Sequence, residues 1–264
     1  MDAYININRQ LWNARVASHT ESAFYDVAGF KAGKSSLMPI ELAQIGEVKG
    51  KKILHLQCHF GMDTLSLSRM GAQVTGVDFS ENAIEMARKL NEELALDAQF
   101  VCCNVYDLPQ HLNGQFDLVF TSYGVVGWLD DLTAWGHIVA SFLKPGGVFH
   151  LIEFHPVVWM LDNDFQKITY SYFNTAPIIE EEEGTYAERT AGIKLPTYSW
   201  NHPLSEVLGA LLAEGLALEQ FRETDGSPHD CFLNTIAGPD SMFRIRGLEG
   251  KIPMVYGLTA NVGS

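Results

Sequence analysis

From Lys51 onward, apolar and polar positions fall into a regular order. Ile53, Leu54 and Leu56 form a short apolar run suited to a buried strand. Leu65, Leu67 and Met70 predict a helix that Gly71 stops, and Val74–Val77 predicts a second strand ended by Asp78. Ser80 is placed as the N-cap of the next helix. Ala83, Ala87, Leu90 and Leu94 follow at spacings of four, three and four, one apolar stripe. Phe100–Cys102 and Phe116–Phe120 predict a third and a fourth strand. Asp130 and Asp131 open a helix with Leu132, Trp135, Ile138, Val139 and Phe142 on one face, acids suiting its positive end. Lys144–Gly147 reads as a turn, and Val148–Phe154 as a fifth strand. Pro203 sits at a first helical position before Leu204, Val207, Leu208, Leu211 and Leu212, and Gly215 ends that helix. Two last strands are expected near Leu216–Arg222 and Met254–Ala260. Strands alternating with helices predict an α/β fold, a doubly wound and mostly parallel sheet with helices on both faces.

Two segments stand outside this order. Residues 1–50 read as helical and irregular, with a short helix through Leu37, Ile40, Leu42 and Ile45 ending near Gly46. They are expected to form an N-terminal lid segment, with residues 51–264 as the main domain. Residues 156–200 carry Trp159, Phe165, Tyr170, Tyr172, Phe173, Tyr186 and Tyr198, too aromatic for a disordered linker. This stretch reads as an insertion forming much of a ligand pocket, and its run Glu180–Glu183 as a solvated face.

Composition narrows the partners. The 264 residues are 47% hydrophobic and 19% charged, the profile of a folded globular chain. Lys and Arg number 18 against 32 Asp and Glu, a net charge of −14 that repels phosphate backbones and anionic lipid heads. Neither nucleic acid nor a membrane is expected as a partner. Met1–Leu11 has no apolar core of a secretory signal, and no stretch approaches the ~20 apolar residues of a membrane span, so a cytoplasmic location is expected. Cys58, Cys102, Cys103 and Cys231 read as reduced thiols, since neighbours such as Cys102 and Cys103 point to opposite faces of a strand.

The chemistry concentrates in Ile53–Leu90, which reads strand, tight loop, helix, strand, acid. In such a unit the first loop meets the ligand and the acid hydrogen-bonds a ribose diol. Asp78 is that acid, 21 residues after Gln57, with two oxygens for two vicinal hydroxyls. The loop Gln57–Cys58–His59–Phe60–Gly61 has one glycine, and side chains at Gln57 and His59 would crowd a pyrophosphate. A nucleoside ligand without pyrophosphate is favoured over NAD.

These residues resemble the class I S-adenosylmethionine-dependent methyltransferases over about residues 50–155. VTGVDFSENAIEMAR, with Asp78, Phe79 and Ser80, resembles that family's second motif, and Asn104–Pro109 its third. Phe116–Thr121 and LKPGGVFHLIE resemble the fourth- and fifth-strand motifs. The family's first motif, an acid and three alternating glycines, is here His55, Gln57, His59 and Gly61. The resemblance implies a Rossmann-like seven-stranded sheet with a terminal antiparallel strand. It also implies a donor site of Gln57, Cys58, His59, Gly61, Asp63, Asp78, Phe79, Asn104, Val105 and Tyr123, with Asp63 facing the ammonium group and Asn104 and Val105 the adenine. Tyr123 and Trp128 would wall the methionine end.

The expected activity is methyl transfer from S-adenosylmethionine to a small-molecule acceptor by in-line displacement. If a general base is needed, His155 and Glu153, just past the fifth strand, lead the candidates, with His19, Tyr25, His202 and His229 behind them. Aromatic rings of the insertion would suit a cationic acceptor. His55, Cys58 and His59 have metal-ligand chemistry but no fourth partner at a recognisable spacing, so no metal is expected. Two other readings compete. One is a non-catalytic nucleoside-ligand binding protein, suggested by the altered glycine motif. The other is an NAD-type oxidoreductase, which would need a second mononucleotide-binding half in place of the last helix and strand pair.

Overall fold

The structure is a computed structural model and describes residues 3–263. The chain opens with α1 (Ala3–Glu21), α2 (Val27–Lys31) and α3 (Pro39–Ile45). The regular part then runs β1 (Lys52–Leu56), α4 (Met62–Arg69), β2 (Gln73–Asp78), α5 (Glu81–Glu93), β3 (Gln99–Cys102), α6 (Leu108–His111), β4 (Phe116–Thr121), α7 (Leu132–Ser141) and β5 (Leu143–Phe154). After it come β6 (Ile178–Glu183), β7 (Lys194–Ser199), α8 (Leu204–Ala213), β8 (Leu216–Thr224), β9 (Thr235–Ala237), β10 (Phe243–Ile245) and β11 (Val255–Val262).

Seven strands form one sheet in the order β3-β2-β1-β4-β5-β11-β8. β1 to β5 run parallel, and β11 is antiparallel to both neighbours, β5 and β8. Period-two alternation splits the strand side chains between two helical layers. Ile53, Val74, Leu118 and Phe120 pack beside Leu37 and Ile45 of the α3 side and Leu67 of α4. Leu54, Leu56, Val119, Phe149 and Leu151 pack with Trp135, Ile138 and Val139 of α7 and Val207 and Leu211 of α8. Covered on both faces, the central strands read as continuous apolar runs. The expected caps form: Ser80 accepts from the Ala83 N–H at 3.1 Å and Asp131 from the Ala134 N–H at 2.9 Å.

Three details differ from the sequence reading. The Lys144–Gly147 turn lies inside β5, where pairing jumps from Phe116↔Leu143 to Leu118↔Val148, so the turn is accommodated as a bulge. Pro203 is the N-cap of α8, with extended ψ of 152°, and helix begins at Leu204. Within 156–200, β6 and β7 form an antiparallel hairpin, and the glutamate run is the strand β6 itself. Four consecutive Glu have poor strand propensity and no alternation, so pattern gave no sign of it. Between β8 and β11 the chain folds into a second hairpin, β9–β10. Among the described residues no helix is long and apolar enough to cross a membrane.

Candidate active site

The chain runs β1, β2, β3 to one side and then returns to β4 on the other side of β1, so a crevice opens at the carboxyl ends of β1 and β4. A cavity of about 1100 Å³ lies there. Gln57, Asp78, Asn104, Tyr123 and Glu153 line it from the ends of five successive strands. Its roof comes from α1, the β6–β7 hairpin and the segment around His229. Its volume lies just above the roughly 300–1,000 Å³ usual for a ligand site, room for a donor and an acceptor.

The first loop keeps a tight twist without the glycines. Gln57 and His59 adopt φ of 55° and 50°, in the left-handed region, as does Gly61 at 78°. Non-glycine residues there cost about 1 kcal/mol each, strain of the kind held at functional sites. Asp78 braces the loop: its Oδ2 accepts the His59 N–H at 2.8 Å, while Oδ1 accepts the Ser80 N–H at 2.9 Å. Burial pushes the Asp78 carboxyl up to about 6, against the pull of these backbone donors and of the Phe79 N–H. Each oxygen retains lone-pair capacity for a diol hydroxyl. A Cβ at Gly61 would lie 2.6 Å from the Phe100 ring. Gly61→Ala is therefore expected to lower stability by about 2 kcal/mol or more through overpacking and backbone strain, read from urea unfolding midpoints.

The three residues with metal-ligand chemistry separate. His55 Nδ1 lies 2.9 Å from Thr64 Oγ1 and its Nε2 3.5 Å from Ser122 Oγ; burial lowers it to about 3, so it is neutral. Cys58 Sγ fills the space over Gly76, where a Cβ would sit 2.9 Å away, and burial pushes its thiol up. His59 Nε2 meets His19 Nδ1 at 2.9 Å beneath α1. All four cysteines are free thiols.

Acids gather beside the loop. Asp63, which lines the cavity, is raised by burial, opposed by a hydrogen bond from Ser36. Glu41 is pushed up to about 9, first by burial and then by the charge of Asp63, although it accepts the Met38 N–H at 2.6 Å. The Tyr123 hydroxyl lies against Glu41 without completing a well-formed hydrogen bond. A neutral, buried Glu41 stabilises the fold fully below pH 4.5, and this contribution is lost as pH rises towards about 9. Glu41→Gln is expected to flatten this loss, by at least about 1 kcal/mol at pH 9, in denaturation curves at pH 5 and pH 9. Sequence reasoning missed Glu41; its signal was the Pro39-Ile40-Glu41 start of α3, where Glu is the N3 residue.

The two leading candidates for a base are placed otherwise than expected. Glu153 is buried at the cavity wall, and its carboxylate accepts the N–H groups of Gly124 (2.5 Å), Val125 (2.8 Å), Val126 (2.9 Å) and Phe154 (2.6 Å). His155 is not among the cavity-lining residues; its Nε2 is 2.9 Å from Glu223 of β8, and its Nδ1 accepts the Val157 N–H at 3.2 Å. His155 lies just beyond the end of β5, and its Glu223 contact is on the β8 side instead of the crevice. His202 is also away from the cavity, against Leu129 O at 2.7 Å and Glu206 at 3.0 Å. His229 does line it, its ring 5.0 Å from that of Tyr123, and burial lowers it to about 4. Asn104 and Val105 line the cavity, with Asn104 Oδ1 accepting the Tyr106 N–H at 3.3 Å; Phe79 and Trp128 also border it.

The roof from α1 is the largest addition to the expected site. Tyr4, Ile5, Asn8, Trp12 and Arg15 line the cavity at helical spacing. Asn13 ties the helix to α5, accepting from Ser80 Oγ at 2.7 Å and the Asn82 N–H at 3.2 Å. Asn8 exchanges two hydrogen bonds with the Tyr198 backbone of β7, at 2.7 and 3.0 Å. A Tyr25–Tyr186 hydroxyl contact joins the N-terminal segment to the insertion.

Residues 53–147 match the model of a family described as a methyltransferase domain. A ubiquinone biosynthesis O-methyltransferase of Xanthomonas euvesicatoria pv. vesicatoria is 30% identical over 131 residues, 48% of this chain and 54% of that protein. A demethylmenaquinone methyltransferase of Lactococcus lactis subsp. lactis is 36% identical over 130 residues, 47% of this chain and 51% of that protein. The chain thus spans about half the length of these relatives. Among solved structures, an S-adenosylmethionine-dependent methyltransferase of Mesorhizobium loti superposes with a TM-score of 0.58 at 21% identity, covering 88% of this chain and 99% of that one. The DhpI–SAM–HEP complex gives 0.60 at 17% identity over 98% of each chain. With the motif order, the antiparallel β11 and the acid at the end of β2, these matches identify residues 53–147 as a methyltransferase domain and give the chain the fold of the class I S-adenosylmethionine-dependent methyltransferases.

Proposed function

We propose that this chain binds S-adenosylmethionine in the crevice over β1, β2 and β3 and transfers its methyl group to a small molecule held in the same cavity. The observation that carries the reading is Asp78, at the cavity wall at the end of β2, with one oxygen on the His59 N–H and the other on the Ser80 N–H. The donor brings a methyl group on a sulfonium, an activated leaving group. The chain's part is alignment and exclusion of water. α1 and the β6–β7 hairpin roof the cavity, and we read residues 3–50 and the insertion as its lids. Asp63 lines the cavity and would face the donor's ammonium group. Glu153 braces residues 124–126, a positioning role, and an acceptor hydroxyl would meet an uncharged imidazole in His229.

Retention of left-handed φ at Gln57 and His59 favours a working donor loop over a non-catalytic relic. An NAD enzyme would continue the sheet with a second parallel half, where this chain has antiparallel β11. The relatives that act on quinone precursors make an aromatic acceptor a reasonable class to screen. Calorimetric titration with S-adenosylhomocysteine and NADH tests the reading: micromolar binding of the first alone is expected, and binding of NADH alone, or of neither, would sink it.

A further inference from the structure

Arg15 is a cation built into the cavity wall that the donor reading leaves without a task. Its side chain is 2% exposed, yet it lines the cavity. The guanidinium lies over two indoles, with its centre 4.8 Å from the Trp12 ring and 5.7 Å from that of Trp128. The two rings pack edge to face at 5.3 Å, so the group is held in place by aromatic surface from α1 and from the loop after β4. Trp12 also touches His59 of the donor loop, ring centres 5.3 Å apart. Arg15 therefore stands where the donor loop, the helical roof and the insertion meet.

Its hydrogen bonding is incomplete. Nη2 pairs with Oε2 of Glu182, the one ion-pair partner of Arg15 among the described residues. Nε is buried and has no hydrogen-bond partner. Nε and Nη2 form the side edge of the guanidinium, which matches the two oxygens of a carboxylate. Glu182 engages one of these two donors with a single oxygen. It belongs to β6, and its side chain is 37% exposed, so it can leave for solvent at little cost. An unmet N–H beside a buried charge is costly to leave unmade, which favours a ligand that takes both donors.

We propose that Arg15 is a carboxylate clamp, and that Glu182 holds its place until a ligand carboxylate takes the Nε–Nη2 edge. This rests on the methyltransferase reading. The carboxylate can come from the methionine part of the donor or from an aromatic acid serving as acceptor, and the test separates the two. The first arm compares S-adenosylhomocysteine with 5′-methylthioadenosine, the same thioether nucleoside without the amino acid, by calorimetry. The second arm adds benzoate or its neutral analogue benzamide to the S-adenosylhomocysteine complex and reads tryptophan fluorescence, with Trp12 and Trp128 beside the clamp. Wild type is expected to favour the carboxylate ligand by about tenfold or more in one arm. Arg15→Gln should cut that preference by about tenfold, and Arg15→Lys should restore only part of the loss, since an ammonium group lacks the fork.

Loss of preference in the first arm assigns the clamp to the donor; loss in the second assigns it to the acceptor. Glu182→Gln should tighten the same carboxylate ligand by removing its competitor, a gain that a merely structural ion pair would not give. This variant also carries the test if Arg15→Gln fails to fold. Preferences as large in Arg15→Gln as in wild type, or Glu182→Gln binding no tighter than wild type, would overturn the proposal. If wild type binds neither nucleoside, the donor reading fails and the clamp with it; if both bind and Arg15 is immaterial, the clamp alone fails.

Discussion

Asp78→Ala is expected to weaken S-adenosylhomocysteine binding by about a hundredfold or more, while the protein remains folded. In the proposed site a ribose diol would donate two hydrogen bonds to this carboxylate, and each charge-assisted bond contributes about 1.5–3 kcal/mol. The same substitution releases the His59 N–H from its 2.8 Å bond and so loosens the loop that Gln57 and His59 hold in left-handed backbone. Asp78→Asn keeps one acceptor oxygen and should retain part of the affinity. Calorimetry on the three proteins, with circular dichroism to establish folding, reads this directly. Wild-type affinity in the folded Asp78→Ala protein would remove the ribose contact from the site. The pH dependence follows from the same group. Burial puts the free carboxyl at about 6, so the ionised acceptor is depleted below that value, and donor affinity should fall as pH drops from 7 to 5.

Glu153→Ala is expected to cost about 3–5 kcal/mol of stability, visible as a lowered urea midpoint, before any effect on chemistry is resolved. The carboxylate gathers four backbone N–H groups, from Gly124, Val125, Val126 and Phe154, in a buried setting. Removing it leaves those donors without an acceptor. Glu153→Gln keeps one good acceptor but turns an NH₂ group towards the same donors, so it should be destabilised as well, by about 2 kcal/mol. A general base would behave differently: Glu153→Gln would keep wild-type stability and lose turnover. Equal unfolding midpoints for Glu153→Gln and wild type would refute the bracing role.

Local pattern and tertiary context divide the fold and the site between them. The central strands, their helices and the caps at Ser80 and Asp131 were legible in the sequence. Burial on both sheet faces forces apolar runs, and a helix end needs an acceptor for its free N–H groups. Asp78 was legible for a related reason: a parallel βαβ unit places the end of its second strand beside its first loop. Motif spacing also gave Asn104, Val105 and Tyr123 along the crevice.

Residues 1–50 and 156–200 were legible as covering segments, but the pairings that build the roof were not. Trp12, Arg15, Tyr186 and Glu182 are brought together from α1 and the insertion, with Arg15 and Glu182 separated by 167 positions. No local period records a pairing over that distance. The β6 strand is hidden because its glutamates are ordered by their partners: Arg15 for Glu182, Lys194 for Glu181 and Tyr170 for Glu180. The histidine candidates show the same division. Position at the end of β5 nominated both Glu153 and His155, but their tertiary neighbours set one to hold a loop and the other against Glu223. By itself the sequence determined the sheet, its crevice and the acid at the end of β2, because those follow from burial and from short-range chain geometry. The tertiary structure alone decided which residues meet over the crevice and which charges face into it, because those depend on contacts between segments far apart in the chain.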